Sequence, residues 1–295
     1  RRPISELVRD SSVSAGRRAQ LQLVLDARAF AARVGFEAGD TYTSFADVGR
    51  DTLLLVLSVS PRNCICPHTW KYPIVGRVPY KGFFDQAAAR READRFGAKG
   101  YDTYLRPAGA FSTLGWFEDP LLSTALPRDS VELVALVLHE IAHNSLYVTS
   151  ATPFNESIAQ FAGYRAAEQF FRERGDTLQA TAAANRWLDE IVLGHFYHDF
   201  VGRLEAFYGS KPDSAAVDSG RVAIAAWARA ELEGTVAGQL RTMRVGRLPE
   251  RPVNNARLVG VQIYRTHRDL FEAWYERHGR NVEQSVMALR DLVEN

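Results

Sequence analysis

The chain has 295 residues, 46% of them hydrophobic and 11% aromatic, enough to bury a large core in one or two closely joined domains. Its 36 lysines and arginines balance 35 aspartates and glutamates, for a net charge of +1, so no global field draws it to nucleic acid or anionic lipid. No apolar run reaches the roughly 18 residues that a membrane-spanning helix needs.

The first periodic stretch, LQLVLDARAFAARVGF at 21–36, has a helical spacing, and Gly35 supplies a stop. The period then shortens. TLLLVLSV at 52–59 and KYPIVGRV at 71–78 read as strands, and YDTYLRPAGAFSTLG at 101–115 as a third with room for a fourth. FFDQAAARREADRFGAKG between them is a helix ended by glycine, so this part is expected to be a small mixed sheet with a crossover helix. Cys64 and Cys66 form a CxC pair, which closes a strained ring at best. Two cysteines also fall short of a structural zinc site unless His68 and another ligand join. The plainer reading is two loop or strand-end thiols without a role.

From Pro127 onward the pattern is helical: 129–171, 177–208, 214–243, then two or three shorter helices between Asn255 and Val293. The breaks at Gly175-Asp176, Gly209-Ser210 and Leu248 to Pro252 are turn chemistry. Strands first and helices after make an α+β fold. The division is residues 1–126 for the N-terminal helix and sheet and 127–295 for the helical part, together one continuous catalytic unit.

Within 129–171 lies VELVALVLHEIAHNSLYVTSATPFNESIAQF. Asp129 can cap a helix, with Glu132 three residues on completing a capping box, and Val131, Val134, Leu138, Ile141 and Ala142 make that helix largely buried. His139 and His143, four apart, stand on one face and can grip one metal ion, while Glu140 points to the neighbouring face, where a carboxylate reaches a water on that metal. This is the HExxH arrangement of zinc peptidases. Two histidines and a glutamate in a buried helix are costly to desolvate without partners, and a metal supplies one.

A catalytic zinc needs a third ligand. The helix is expected to fray after Val148, and Thr152-Pro153 reads as an N-cap followed by proline at the first helical position. In a hairpin pivoting near Ser150, reflection sets His143 opposite Glu156 and His139 opposite Gln160. The small Ala159, Ala162 and Gly163 on that face permit the close approach that a shared metal demands. Zinc so held, one per chain, keeps a fourth position for water and brings that water's pKa to about 7. Glu140 can then act as general base. Gln160 and Asn155 are read as supports around the ligands, Gln160 by accepting the His139 ring N–H; the alternative for Gln160 is to face water.

NESIA, Asn155 to Ala159, resembles the NExxA element carrying the third ligand in the glutamate-type zincins (gluzincins), although those place a longer segment before the glutamate. Together YTSFADVGRD, YPIVGRVPYKGFF, FSTLGWFEDPLLS, HEIAHNSLYV, FNESIA and VNNARL resemble a bacterial family of predicted aminopeptidases over most of the chain. The resemblance implies a zincin-like fold and a peptide substrate. It also implies that an edge strand at Gly109, Ala110 and Phe111 pairs with substrate backbone, the alternative being an ordinary strand and turn. Asn254 and Asn255, in the NNA element, either bind substrate termini or cap a helix. For the oxyanion donor the candidates are Tyr264, His195, Tyr197, His198 and His267; Tyr264 is favoured because aminopeptidase-N-like enzymes use a tyrosine. Proteins of the family often begin with an exported lipoprotein signal, and this chain begins at Arg1 rather than methionine. A periplasmic or membrane-tethered location is the implied one, with the cytoplasm as the alternative.

The function so read is a zinc-dependent aminopeptidase of short peptides. An endopeptidase is the nearest rival, since a grip on the free α-ammonium needs a carboxylate and only Glu118 and Asp119 lie near the presumed substrate strand. A helical binding or envelope-scaffold protein with a non-catalytic zinc is the alternative of another class.

Overall fold

A computed structural model describes residues 1–49, 54–72, 76–108, 120–126, 128–246, 251–265 and 267–294. It is α+β, with most described residues in helices and the strands gathered in small sheets. Two compact units draw on interleaved segments: Arg1–Leu53, Ala108–Trp187 and His267–Asn295 form the first, and Leu54–Pro107 and Leu188–Thr266 the second.

In the first unit, strand Ser44–Ala46 lies between Arg2–Pro3, antiparallel, and Leu121–Leu122, parallel. The helix Ala15–Arg33 begins on Ser14, whose side chain accepts from the Arg17 N–H, and ends before Gly35, which takes the left-handed φ of 83°. It packs on the helix Ser130–Ser145, which packs in turn on Thr152–Glu173. Against this last helix lie Arg268–Arg277 and Val282–Glu294. The apolar contact carries a buried charge cluster: Arg165, 1% exposed, donates to Glu168 and to both carboxylate oxygens of Glu272, and Trp187 Nε1 donates to Glu272 at 2.7 Å. A buried guanidinium is tolerable only with such pairing.

In the second unit the strand Leu54–Pro61 is flanked by Lys81–Phe83 and Tyr101–Ala108. The helix Gln86–Gly97, capped by Asp85, covers it, and Asn255–Tyr264 packs on it as well. A single mixed sheet is therefore corrected to three separate small ones. The run at 71–78, expected as one strand, holds two, Trp70–Tyr72 and Gly76–Val78, which pair antiparallel with each other. The long helix expected over 214–243 ends regularly at Glu231, followed by a π-helical turn, Leu232–Val236.

Cys64 and Cys66 are joined in a disulfide, their Cα atoms 5.2 Å apart, which corrects the reading of two separate thiols. The loop is tight because Ser60 Oγ donates to the carbonyls of both cysteines and Asn255 Nδ2 donates to that of Cys64. Asn255 is fully buried and also accepts from Tyr208, while Asp102 takes the Asn255 N–H and the Arg221 guanidinium. Among the described residues, no helix is long and apolar enough to cross a membrane.

Candidate metal centre on the helical hairpin

The helix Ser130–Ser145 starts where Asp129 accepts the Glu132 N–H at 3.0 Å. The expected reciprocal half of the capping box is not formed. Glu132 instead accepts from the Tyr164 hydroxyl at 3.0 Å and from Arg186 at 3.1 Å, and Arg186 forks onto Asp129 as well. A guanidinium and a phenol outcompete one exposed backbone N–H for the carboxylate. From Val131 to Ala142 this helix is buried almost all round, and it stops at Ser145, earlier than the expected fraying point. There Ser145 Oγ accepts from the Glu37 N–H and donates to the Ile141 carbonyl.

The return is short and pinned. Ser150 takes a left-handed φ of 63°, and Asn155, 2% exposed, brackets Val148: its Oδ1 accepts the Val148 N–H and its Nδ2 donates to the Val148 carbonyl, both at 2.8 Å. The helix Thr152–Glu173 is capped by Ala151 without a side-chain bond, so Pro153 stands at the second helical position, one place later than expected. Glu156 follows in its next turn.

His139 and His143 stack edge to face with ring centroids 4.8 Å apart. Glu156 Oε2 lies 3.5 Å from Nε2 of His139 and 3.8 Å from Nε2 of His143. Each residue offers one ligand atom, all within 4.8 Å of one another, and among the described residues this is the one group of three or more such side chains. The helices come this close because Ala159 and Ala162 are buried and Gly163 leaves room over Ala135 and His139.

Charges are finely set in the cluster. Burial pulls the His139 imidazole down, but its hydrogen bond to Glu156, the charges of Glu140 and Glu156 and a hydrogen bond with Gln160 outweigh it and leave the pKa raised. His143 goes the other way. Burial and the neighbouring His139 push it down to about 4, against the pull of Glu156, so it is neutral at ordinary pH, the form in which histidine binds metal. Its buried Nδ1 has no hydrogen-bond partner among the described residues. Two imidazoles and a carboxylate converging, His143 buried and His139 and Glu156 partly so, form a donor set suited to a borderline cation such as zinc, and a cation would relieve the cost of partly desolvating that carboxylate.

A family model described as "Putative aminopeptidase" matches residues 1–295. The chain belongs to this family. Membership indicates a peptidase, hence a hydrolase, and makes a peptide a plausible substrate for the aminopeptidase-family chain. No curated protein and no solved structure matches it.

Most of the other sequence candidates of this aminopeptidase-family chain belong to the second unit or lie outside the described residues. Gly109, Ala110 and Phe111 lie outside the described residues, as do Glu118 and Asp119. Asn254 caps the helix Asn255–Tyr264, accepting from Arg257 N–H and donating to the Thr103 carbonyl, while Asn255 is committed to the buried network of the second unit. Tyr264 is the last residue of that helix. His195 and His198 are exposed on the helix Thr177–Gly209. Tyr147, which has no role in the sequence reading, lies near enough to Glu156 for that carboxylate, after burial, to help raise its phenol pKa. No helical spacing could have signalled it, because the helix ends at Ser145 and Tyr147 lies beyond it.

Proposed function

We propose that this protein is a zinc-dependent aminopeptidase with a zincin-like (gluzincin) active site, acting on short peptides. The observation that carries the reading is the convergence of His139, His143 and Glu156 from two antiparallel helices, with Glu140 adjoining His139 in the chain. One zinc ion would be held by the two imidazoles and the Glu156 carboxylate. When bound, such an ion supplies Lewis acidity, bringing a water's pKa to about 7 and polarising a carbonyl.

The chain's own residues then divide the work. Glu140 takes the proton of the attacking water and returns it to the leaving amine. Gln160 orients the His139 ring, and Asn155 holds the turn from which Glu156 projects. Structural zinc sites close all four positions with protein ligands, whereas the described residues bring three together. That favours a hydrolytic site over a scaffold. Family membership favours release of N-terminal residues. The test offers short peptides with free and with acetylated N-termini to the zinc-loaded protein. Cleavage of the first bond in free peptides alone is expected; equal cleavage of both sets, or cleavage at internal bonds, makes the protein an endopeptidase.

A further inference from the structure

We infer that Tyr147 is a catalytic residue of this site, its phenol donating a hydrogen bond to the carbonyl oxygen of the bond being cleaved. The inference rests on the peptidase reading above and deepens it.

Tyr147 is borne by the ligand hairpin itself. The next residue, Val148, has both its N–H and its carbonyl bound by the buried amide of Asn155, and Asn155 adjoins Glu156 in the chain. The backbone carrying the phenol is thereby fixed to the backbone carrying the third ligand atom. The residue is 40% exposed, and the Glu156 carboxylate acts, after burial, to raise its phenol pKa. Its hydroxyl makes no hydrogen bond to a described residue, so that donor is free for a ligand arriving from solvent. A neutral O–H aimed where negative charge grows on oxygen is worth a factor of about 10²–10³ in turnover. The phenol has little else to do at this place: its exposure gives it a small share in packing, and it makes no hydrogen bond to a described residue.

The test compares Tyr147→Phe, Tyr264→Phe and the wild type, all zinc-loaded. Turnover of a free short peptide, zinc content, the melting curve and calorimetric binding of a phosphinic dipeptide, whose anionic oxygens imitate the tetrahedral oxyanion, are measured for each. Tyr147→Phe is expected to keep its zinc and its melting curve. It should lose kcat by at least tenfold with KM nearly unchanged, and bind the phosphinic dipeptide at least tenfold more weakly. Turnover and binding within twofold of wild type overturn the inference, as does loss confined to Tyr264→Phe. Loss of zinc or of the fold in Tyr147→Phe assigns the ring a structural role and overturns it too. A wild type that cleaves no peptide and binds no phosphinic dipeptide removes the peptidase reading and this inference with it. An active wild type beside an unaffected Tyr147→Phe removes this inference alone.

Discussion

A methyl group on Gly163 would stand 2.7 Å from the carbonyl oxygen of Ala135, and 3.2 Å from the Cβ of His139. The first contact is with helix backbone, which cannot swing aside, so the two helices would have to part at the level of His139. Overpacking of this kind costs about 1–3 kcal/mol, while alanine in place of glycine in a helix returns about 0.5–1 kcal/mol. Gly163→Ala is therefore expected to be net destabilising by up to about 2.5 kcal/mol in urea unfolding and to weaken zinc affinity at least tenfold in competition with a chelator. An unchanged affinity would separate the close approach from the ligand geometry.

Removal of one ligand should empty the centre. His143→Ala and Glu156→Ala are each expected to fall well below one zinc per chain by metal analysis after gel filtration, because two remaining ligands rarely hold zinc against dilution. Full retention by either variant would sink the ligand assignment.

Glu140→Gln keeps the shape of the side chain and cannot take a proton. Zinc content and the unfolding midpoint are expected to match wild type, with peptide turnover reduced by about 10²–10⁴. Activity within tenfold of wild type would exclude Glu140 as the base.

What could be read along the chain was chiefly what neighbours in sequence decide. The facing of His139, His143 and Glu156 follows from a spacing of four and a turn of a few residues, and the small face at Ala159, Ala162 and Gly163 is equally local. The capping box failed at its second half because Glu132 meets Tyr164 and Arg186, partners from other helices that no short window contains. The same reason hides the loop around Cys64, which is folded by Asn255, far along the chain. The pair Trp70–Tyr72 and Gly76–Val78 was merged into one strand because the sequence between them, PIV, is apolar and carries no Asn-Gly or Asp-Gly signature.

Acid should find the second unit at Asp189. This fully buried carboxylate accepts the backbone N–H groups of Arg241, Thr242 and Met243 and the Thr242 hydroxyl, all at 2.7–2.8 Å. Burial alone would raise its pKa, but these four donors prevail and hold it below the ordinary value of 3.8. A carboxyl depressed on folding contributes stability in full above pH 3.8 and loses it as the pH falls below that, through the folded pKa. Asp189→Asn is expected to cost about 1.5–3 kcal/mol at neutral pH and to flatten the decline of stability below pH 4, as read from urea midpoints across a pH series. Parallel declines for variant and wild type would show that Asp189 does not govern the acid limb.

The interleaving of the two units sets an order of events during synthesis. Chains emerge from the ribosome at about 5–20 residues per second, and the second unit has all its segments once Thr266 is made. The first unit then still lacks His267–Asn295, and with it Glu272, the carboxylate on which Arg165 and Trp187 depend. For those seconds the helix Thr152–Glu173 carries a guanidinium only partly matched by Glu168. The first unit's early segments are thus among the last to reach their final packing, and a stalled or nicked product ending near 266 would present the nascent hairpin to chaperones and proteases with its central charge half-neutralised.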